Sequence, residues 1–253
     1  MLVCLDVGNT HIVVGIYEND VCKTYRLSTN PHITVDELGI KIVEILKFNS
    51  SEVSDYEFIV SSVVPQIDSV IKDMCKKYFN SKAMFVEPGI KTGIKIKLDN
   101  PKELGADILV GAVAAVEEYG TNVLVIDMGT AITLVYINQN KELLGGTIFP
   151  GIRTSFSSLF SGTAKLEETG FEKPKDIIGS DTKSCIQSGM VYGYASLIEG
   201  MVNKYHDKLG LFKTVITGGD AFKLKELLGS LDDCYFDSDL LIKGLKIIYN
   251  KNK

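Results

Sequence analysis

The sequence predicts an α/β protein made of two similar halves, each with a mixed sheet. Three observations carry that expectation. The stretch Leu2-Val3-Cys4-Leu5-Asp6-Val7-Gly8-Asn9-Thr10, followed by His11 to Tyr17, returns as Val123-Leu124-Val125-Ile126-Asp127-Met128-Gly129-Thr130, followed by Ala131 to Ile137. Both copies read apolar strand, Asp-x-Gly, polar turn, apolar strand, and Asp6 and Asp127 lie 121 residues apart, close to half of the 253. Each half also opens with strands and continues with alternating helix and strand, the pattern of α/β layers. Gly120-Thr121-Asn122 then marks a boundary between 1–120 and 121–253. A repeat of this length implies two similar domains facing each other.

The first half begins with three short apolar or alternating runs, Leu2–Leu5, Ile12–Tyr17 and about Thr24–Leu27. Turn residues separate them, which predicts an antiparallel meander. Thr34-Val35-Asp36-Glu37 has the Thr-x-x-Glu pattern of a capping box, and Leu38, Ile40, Ile42, Val43 and Ile45 form a helical face behind it. Phe58-Ile59-Val60 reads as a buried strand. After Pro65, Ile67, Val70, Ile71, Met74 and Tyr78 recur at helical spacing. A short strand near Met84-Phe85-Val86 ends at Pro88-Gly89. Asn100-Pro101-Lys102-Glu103 resembles a helix start with Pro in the first turn, and Gly105-Ala106-Asp107 precedes an apolar helix from Ile108 to about Tyr119.

The second half repeats the plan with strands at Val123–Ile126, Ile132–Ile137 and Leu143–Phe149, then Pro150-Gly151. Residues 162–181 are mixed and polar, the best candidate for a mobile loop. Thr182 reads as the cap of a long helical region reaching about Leu209. Val215-Ile216 leads into Thr217-Gly218-Gly219-Asp220 and a helix. A last strand, Cys234–Phe236, precedes a helix from about Ser238 to Tyr249.

Composition narrows the function classes. The net charge of −5 and a pI near 5.3 argue against nucleic acid as the main partner, which would favour a basic face. No run approaches the roughly 20 apolar residues that span a bilayer. The N-terminus lacks the basic region of a signal peptide. The five cysteines, Cys4, Cys22, Cys75, Cys185 and Cys234, form no CxxC and several fall in apolar periodic segments, as free core thiols of a reducing compartment do. A soluble, cytoplasmic protein is expected. Two arginines, Arg26 and Arg153, stand against 25 lysines.

Four glycine-containing turns follow apolar strands: Asp6–Thr10, Asp127–Thr130, Gly145-Gly146 with Pro150-Gly151, and Thr217–Asp220. Turn N–H groups can point at phosphate oxygens, glycine admits close approach and positive φ, and an aspartate at the strand end can hold Mg²⁺ directly or through water. One copy alone would read as an ordinary hairpin with an Asp-x-Gly turn. GxxxxGK[ST] is missing, which removes a Walker-type loop, and no well-placed GxGxxG marks a dinucleotide domain. Asp107 has two readings, a helix N-cap and a base that takes the proton of a hydroxyl attacking a γ-phosphate. Thr182 has the same two, cap or ligand.

As an ordered set, these motifs resemble the type III pantothenate kinases over almost the whole chain. The matching pieces are Asp6 to Thr10, Arg26 to Thr29 with Thr34 to Glu37, Ser62-Val63-Val64-Pro65 and Asn100-Pro101 through Asp107. Asp127 to Ala131, Gly145-Gly146 with Pro150-Gly151, Gly179 to Thr182, and Thr217-Gly218-Gly219 complete the set. The resemblance implies two ribonuclease-H-like domains of the actin-like ATPase and sugar-kinase superfamily, with nucleotide in the cleft between them. It implies a homodimer that phosphorylates pantothenate with ATP in coenzyme A biosynthesis. It implies that Asp6, Val7, Gly8, Asn9, Thr10, His11, Ile12 and Val13 bind ATP phosphates, with Asp6 near Mg²⁺, and that Thr130 also contacts ATP. Asp107 would be the proton acceptor, and Asp127 would hold a monovalent cation, K⁺ or NH₄⁺. Gly105, Ala106, Asp107 and Thr182 would contact pantothenate, with positions 98 and 108 in the same pocket.

Three positions depart from the family pattern. Ile108 stands where an Arg is usual, Leu98 where a Tyr is usual, and Val135 where an Asp usually closes the second phosphate motif. Arg forms a bidentate, charge-assisted pair with a carboxylate, and Ile cannot. Two alternatives follow: a kinase of another small alcohol, or a non-catalytic nucleotide-binding paralogue with a regulatory role.

Overall fold

The computed structural model describes residues 1–18, 21–49, 55–162, 169–229 and 231–253. The chain packs as two compact units, one of residues 1–118 with 239–253 and the other of residues 119–238.

In the first unit, β1 (Leu2–Val7), β2 (His11–Glu18) and β3 (Val21–Ser28) form the expected antiparallel meander. After α1 (Val35–Asn49), β4 (Glu57–Ser62) pairs parallel to β1, and after α2 (Pro65–Phe79), β5 (Ala83–Phe85) pairs parallel to β4. The sheet order is β3-β2-β1-β4-β5. Period-two alternation divides its side chains between two cores. Val3, Leu5, Val7, Ile12, Val14, Phe58 and Val60 pack with α1 and α2, while Cys4, Val13 and Ile59 face the opposite core.

Thr34 and Glu37 form the predicted capping box at α1, with Glu37 N donating to Thr34 Oγ1 at 3.2 Å and Thr34 N to Glu37 Oε2 at 2.8 Å. Ile40 points to solvent instead of joining the helical face, which is Leu38, Gly39, Ile42 and Leu46. Gly39 lies against the Tyr78 ring of α2, so close packing there needs no side chain.

The opposite core is covered by α3 (Ala106–Tyr119) and by the last helix, α8 (Leu240–Asn252). The expected division at 121–253 placed that last helix with the second half. Its buried residues Ile242, Leu245, Ile248 and Tyr249 instead pack with Cys4, Ile59, Val110 and Val113 of the first unit. Gly244 permits this: a Cβ there would run into Val110 O. Before α3, β6 (Lys95–Ile96) and a 3-10 turn (Pro101–Glu103) replace the helix expected at Asn100.

The second unit repeats the plan. β7 (Val123–Met128), β8 (Ala131–Ile137) and β9 (Glu142–Pro150) are the antiparallel meander. β10 (Lys213–Thr217) pairs parallel to β7, and β11 (Cys234–Phe236) parallel to β10. The run β9-β8-β7-β10-β11 thus mirrors, strand for strand, the order of the first unit. Leu124, Ile126, Met128, Ile132, Leu134 and Ile216 form one core with Ile152 of α4 (Ile152–Ser161) and with Ala195, Ile198 and Val202 of α6 (Tyr194–Leu209).

Helix α4 has no counterpart in the sequence expectation, because four serines obscure its apolar side. The helical region 182–209 has the expected ends but is composite: α5 (Thr182–Ser188), a π-helical turn (Gly189–Gly193) and α6. A 3-10 turn (Ala221–Lys223) and α7 (Lys225–Leu228) follow β10. Of the expected loop 162–181, residues 163–168 lie outside the described residues. Residues 169–181 carry no helix or strand and are tied down by Gln187 Nε2 to Gly170 O (3.3 Å) and Lys173 to Glu226 (2.6 Å).

Candidate active site

Asp6 occupies the penultimate position of β1, opposite Val13 on β2 and Ser61 on β4. Alternation places it on the sheet face of Cys4 and Ile59, the face that α3 covers. The turn beyond it is closed by Gly8 N donating to His11 O at 2.9 Å. It is braced by Thr29, whose hydroxyl donates to Gly8 O at 2.6 Å and whose N–H donates to Thr10 O at 3.0 Å. Asn9, Thr10 and His11 are exposed at its tip, while Val7 and Ile12 anchor it in the core.

The second copy is tighter by one residue. Val7 pairs with Ile12 across the first turn, but Met128 pairs with Ile132 across the second. The offset between copies is therefore 121 up to Gly8 and Gly129 and 120 from Ile12 and Ile132 onward. Gly129 N donates to Ala131 O at 3.0 Å. Thr130 O accepts from Gly151 N at 2.9 Å and from Thr154 Oγ1 at 2.8 Å. Thus Pro150-Gly151 and the start of α4 buttress the second turn, as Thr29 does the first. Gly8 and Gly129 do not adopt positive φ, contrary to the use expected of them.

Positive φ is required instead at Gly218, at +100°, in the Thr217–Asp220 turn. A Cβ there would lie 2.6 Å from Asp127 Oδ1, so only glycine lets this turn lie along the end of β7. Asp127 pairs with Thr133 and Thr217, the place Asp6 has in the first unit. Asp220 N donates to Met128 O at 3.3 Å, which links the two turns.

Asp107 is not the N-cap. The first i→i−4 bond of α3 runs from Leu109 N to Gly105 O at 3.2 Å, so Gly105 is the cap and Asp107 lies in the first turn. Its Oδ1 accepts from Ile108 N at 2.8 Å. Gly105 makes the room, because a Cβ there would overlap Asp107 Oδ1. Desolvation pushes the Asp107 pKa up, opposed by backbone hydrogen bonds from Ile108 and from Asp107 itself. The side chain is thus a more basic carboxylate than a solvated aspartate. Ala106 and Leu109 pack against the core that holds Val13 and Ile59. The start of α3 and the Asp6 carboxylate therefore share one face of the first sheet.

Thr182 is not a cap either. Asp181 caps α5, accepting from Ser184 N at 2.9 Å, while Ser184 Oγ accepts from Asp181 N at 3.1 Å. Thr182 is left exposed in the first turn. Ile108 and Leu98 are half-buried. Val135 is buried between Val125 and Gly146 in mid-sheet, where a carboxylate would be desolvated. Sequence reasoning assigned no site role to Thr154 or Arg153 and included Asp220 only as the end of the fourth glycine turn; the two-arginine count was the one signal at Arg153.

The chain is similar to known proteins over most of its length. The profile of the family described as type III pantothenate kinase matches residues 2–204. A type III pantothenate kinase of Geobacillus kaustophilus is 43% identical over 257 residues, covering 100% of this chain and 98% of its own. Among solved structures, a protein described as a Baf family transcriptional activator of Campylobacter jejuni superposes with a TM-score of 0.59 at 21% identity, covering 99% of this chain and 98% of its own. A protein of Listeria monocytogenes described as an N-acetylmannosamine kinase gives 0.51 at 12% identity, covering 99% and 98%. These two speak for the fold alone.

Proposed function

The chain belongs to the type III pantothenate kinase family, and from that premise we propose that it transfers the γ-phosphate of ATP to the primary hydroxyl of pantothenate. The product is 4'-phosphopantothenate, the first intermediate of coenzyme A biosynthesis. The observation that best supports a working catalyst is Asp107, a desolvated carboxylate with elevated pKa for which Gly105 clears the space.

The turn from Asp6 to Val13 takes the phosphates of ATP, and Thr130 of the second turn makes a further contact. Asp107 accepts the proton of the attacking hydroxyl as the new oxygen–phosphorus bond forms and the bond to ADP breaks. Phosphoryl transfer depends chiefly on positioning and charge neutralisation, which two braced turns suit. Asp6 presents one carboxylate at a strand end, the donor that Mg²⁺ takes when substrate phosphates and water fill its other positions. Asp127 would offer a hard carboxylate oxygen to K⁺ or NH₄⁺. When bound, these cations supply neutralisation of phosphate charge. Gly105 to Ile108, Leu98 and Thr182 line the acceptor side. The working form is a cytoplasmic homodimer, with α3 and the helical region 182–209 as interface elements, a state that light scattering tests.

ADP release with Mg²⁺ and K⁺, with and without pantothenate, tests the proposal directly. Pantothenate-dependent turnover is expected, and turnover indifferent to pantothenate would remove the assignment. One observation favours a second reading: half-buried Ile108 beside Asp107 provides an apolar surface where family members carry Arg. A small alcohol without a carboxylate would then be the better acceptor, and the same assay run on such alcohols distinguishes the two.

A further inference from the structure

We propose that Arg153 binds the phosphate chain of the nucleotide and that Asp220 orients it for this purpose, an inference that rests on the ATP-binding reading above. Arg153 lies in the first turn of α4. Its neighbours in the chain are committed to the second phosphate turn, since Gly151 N and Thr154 Oγ1 both donate to Thr130 O, at 2.9 and 2.8 Å. Its partner Asp220 ends the Thr217–Asp220 turn, whose N–H reaches Met128 O at 3.3 Å. The guanidinium therefore stands between two glycine turns of one unit.

The mode of pairing leaves it usable. Arg153 donates through Nε to Asp220 Oδ1 at 3.1 Å and Oδ2 at 3.3 Å. The Asp220 side chain is only 9% exposed, whereas that of Arg153 is 68% exposed. Nε of the fork is fixed by a nearly buried carboxylate while most of the side chain is open to solvent, and a guanidinium held this way still has the Nη donors with which it can pair with a phosphate. Lys223 Nζ lies 3.9 Å from the same Asp220 oxygen, so two cations surround one carboxylate and the cluster carries a net positive charge. The ten-residue α4 adds the positive end of its dipole nearby. A plain surface ion pair would need neither the buried partner nor the position between two phosphate turns.

The test compares ligands with and without phosphates. Binding of adenosine and of AMP-PNP with Mg²⁺ is measured by calorimetry for the wild type and for Arg153→Gln, Arg153→Lys and Asp220→Asn, with melting temperature as a fold check. Arg153→Gln is expected to weaken AMP-PNP roughly five- to thirty-fold, the range of a partly exposed charge-assisted hydrogen bond, and adenosine less than twofold. Arg153→Lys should recover part of the loss through charge alone, and Asp220→Asn should give an intermediate loss confined to AMP-PNP. Unchanged AMP-PNP affinity in Arg153→Gln, or equal weakening of both ligands, overturns the proposal and leaves the kinase reading intact. Failure of the wild type to bind AMP-PNP overturns the kinase reading and this inference with it.

Discussion

Replacing Gly105 with Ala probes the catalytic reading while leaving the Asp107 carboxylate itself in the chain. The new Cβ would overlap Asp107 Oδ1, the oxygen that accepts from Ile108 N at 2.8 Å. The carboxylate is the free end of a short side chain, so it swings aside instead of forcing the helix to move. Gly105 does not have positive φ, so alanine fits its backbone, and the smaller entropy of the unfolded chain favours folding by about 0.4–1 kcal/mol. Alanine is a poorer N-cap than glycine, and this offsets the gain by a similar amount. Melting temperature should therefore stay within about 3 °C, at roughly 2–4 °C per kcal/mol for a chain of this size. Catalysis should not be spared. Displacing a reacting group by about 1 Å costs on the order of 100-fold, and a general base contributes about 10²- to 10⁴-fold in all. The expected fall in kcat is about 30- to 100-fold, or roughly 2–2.7 kcal/mol, with ATP affinity within about twofold. Coupled ADP release, calorimetry and thermal denaturation read the three quantities. In an Asp107→Ala background, Gly105→Ala should have no further effect on kcat, the mark of two coupled positions. A kcat within threefold of wild type, or a multiplicative loss in the double variant, would refute the reasoning.

Asp107→Asn should abolish turnover and keep ATP binding. Because burial raises the folded-state pKa, the stability contributed by Asp107 is complete below its unfolded pKa near 3.9 and lost as pH rises through the folded value. The variant should accordingly melt no lower than wild type at pH 8, and a clear drop there would contradict the desolvation argument. For the same reason the acid limb of kcat/KM should lie at higher pH than a solvated aspartate would give, which a pH–rate profile checks. Gly244→Ala should destabilise the first unit by about 1–3 kcal/mol, an overpacking cost, since its Cβ meets the backbone oxygen of Val110; denaturant titration measures it. Native alkylation at pH 8 followed by mass mapping should label exposed Cys185 first, because burial pushes the Cys75 thiol up to about 12 and Cys234 up to about 11. Ile108→Arg should lower KM for pantothenate roughly tenfold or more if that acid is the acceptor, and an unchanged KM would favour an uncharged alcohol.

What the sequence disclosed and what it withheld have separate physical causes. Strands and helices with one apolar face were legible, because periods of 2 and 3.6 record burial directly. Helix α4 was not, since only Ile152 is buried and Phe156 half-buried in the core, and its serines bond back to their own helix at Ser157, Ser158 and Ser161. The caps at Asp107 and Thr182 were each misassigned by a residue or two. Several cap-forming residues stand in a row at both sites, and only the backbone decides which one is used: Gly105 over Asp107, and Asp181 over Thr182. In both cases the functional candidate is one position or two inside the helix and not its cap.

The duplicated Asp-x-Gly stretch is the instructive partial success. Both turns are legible in the sequence, as are the strands at Phe58–Val60 and Val215-Ile216, but the copies align there at a single offset. The structure changes that offset within the turn, where Asn9 is the extra residue. The braces differ as well. The first turn is held by Thr29, just past the end of strand β3, and the second by Gly151, the N-cap of α4, and Thr154 in its first turn. A shorter turn backed by a helix start brings a guanidinium to its side, whereas the longer one leaves Asn9, Thr10 and His11 exposed at its tip. Duplication thus supplied two similar strands ending in aspartate, and one inserted residue with a change of brace made the turns differ. On the function proposed above, the longer turn would take phosphates beside Asp6, and the shorter would hold a cation at Asp127 with Arg153 at its side. Removing the brace should therefore have unequal consequences: Thr29→Val should raise the Mg²⁺ and ATP requirement together, and Thr154→Val the K⁺ requirement. Activity titrated against each cation in turn decides the matter, and identical shifts in both variants would show that the two turns have not diverged.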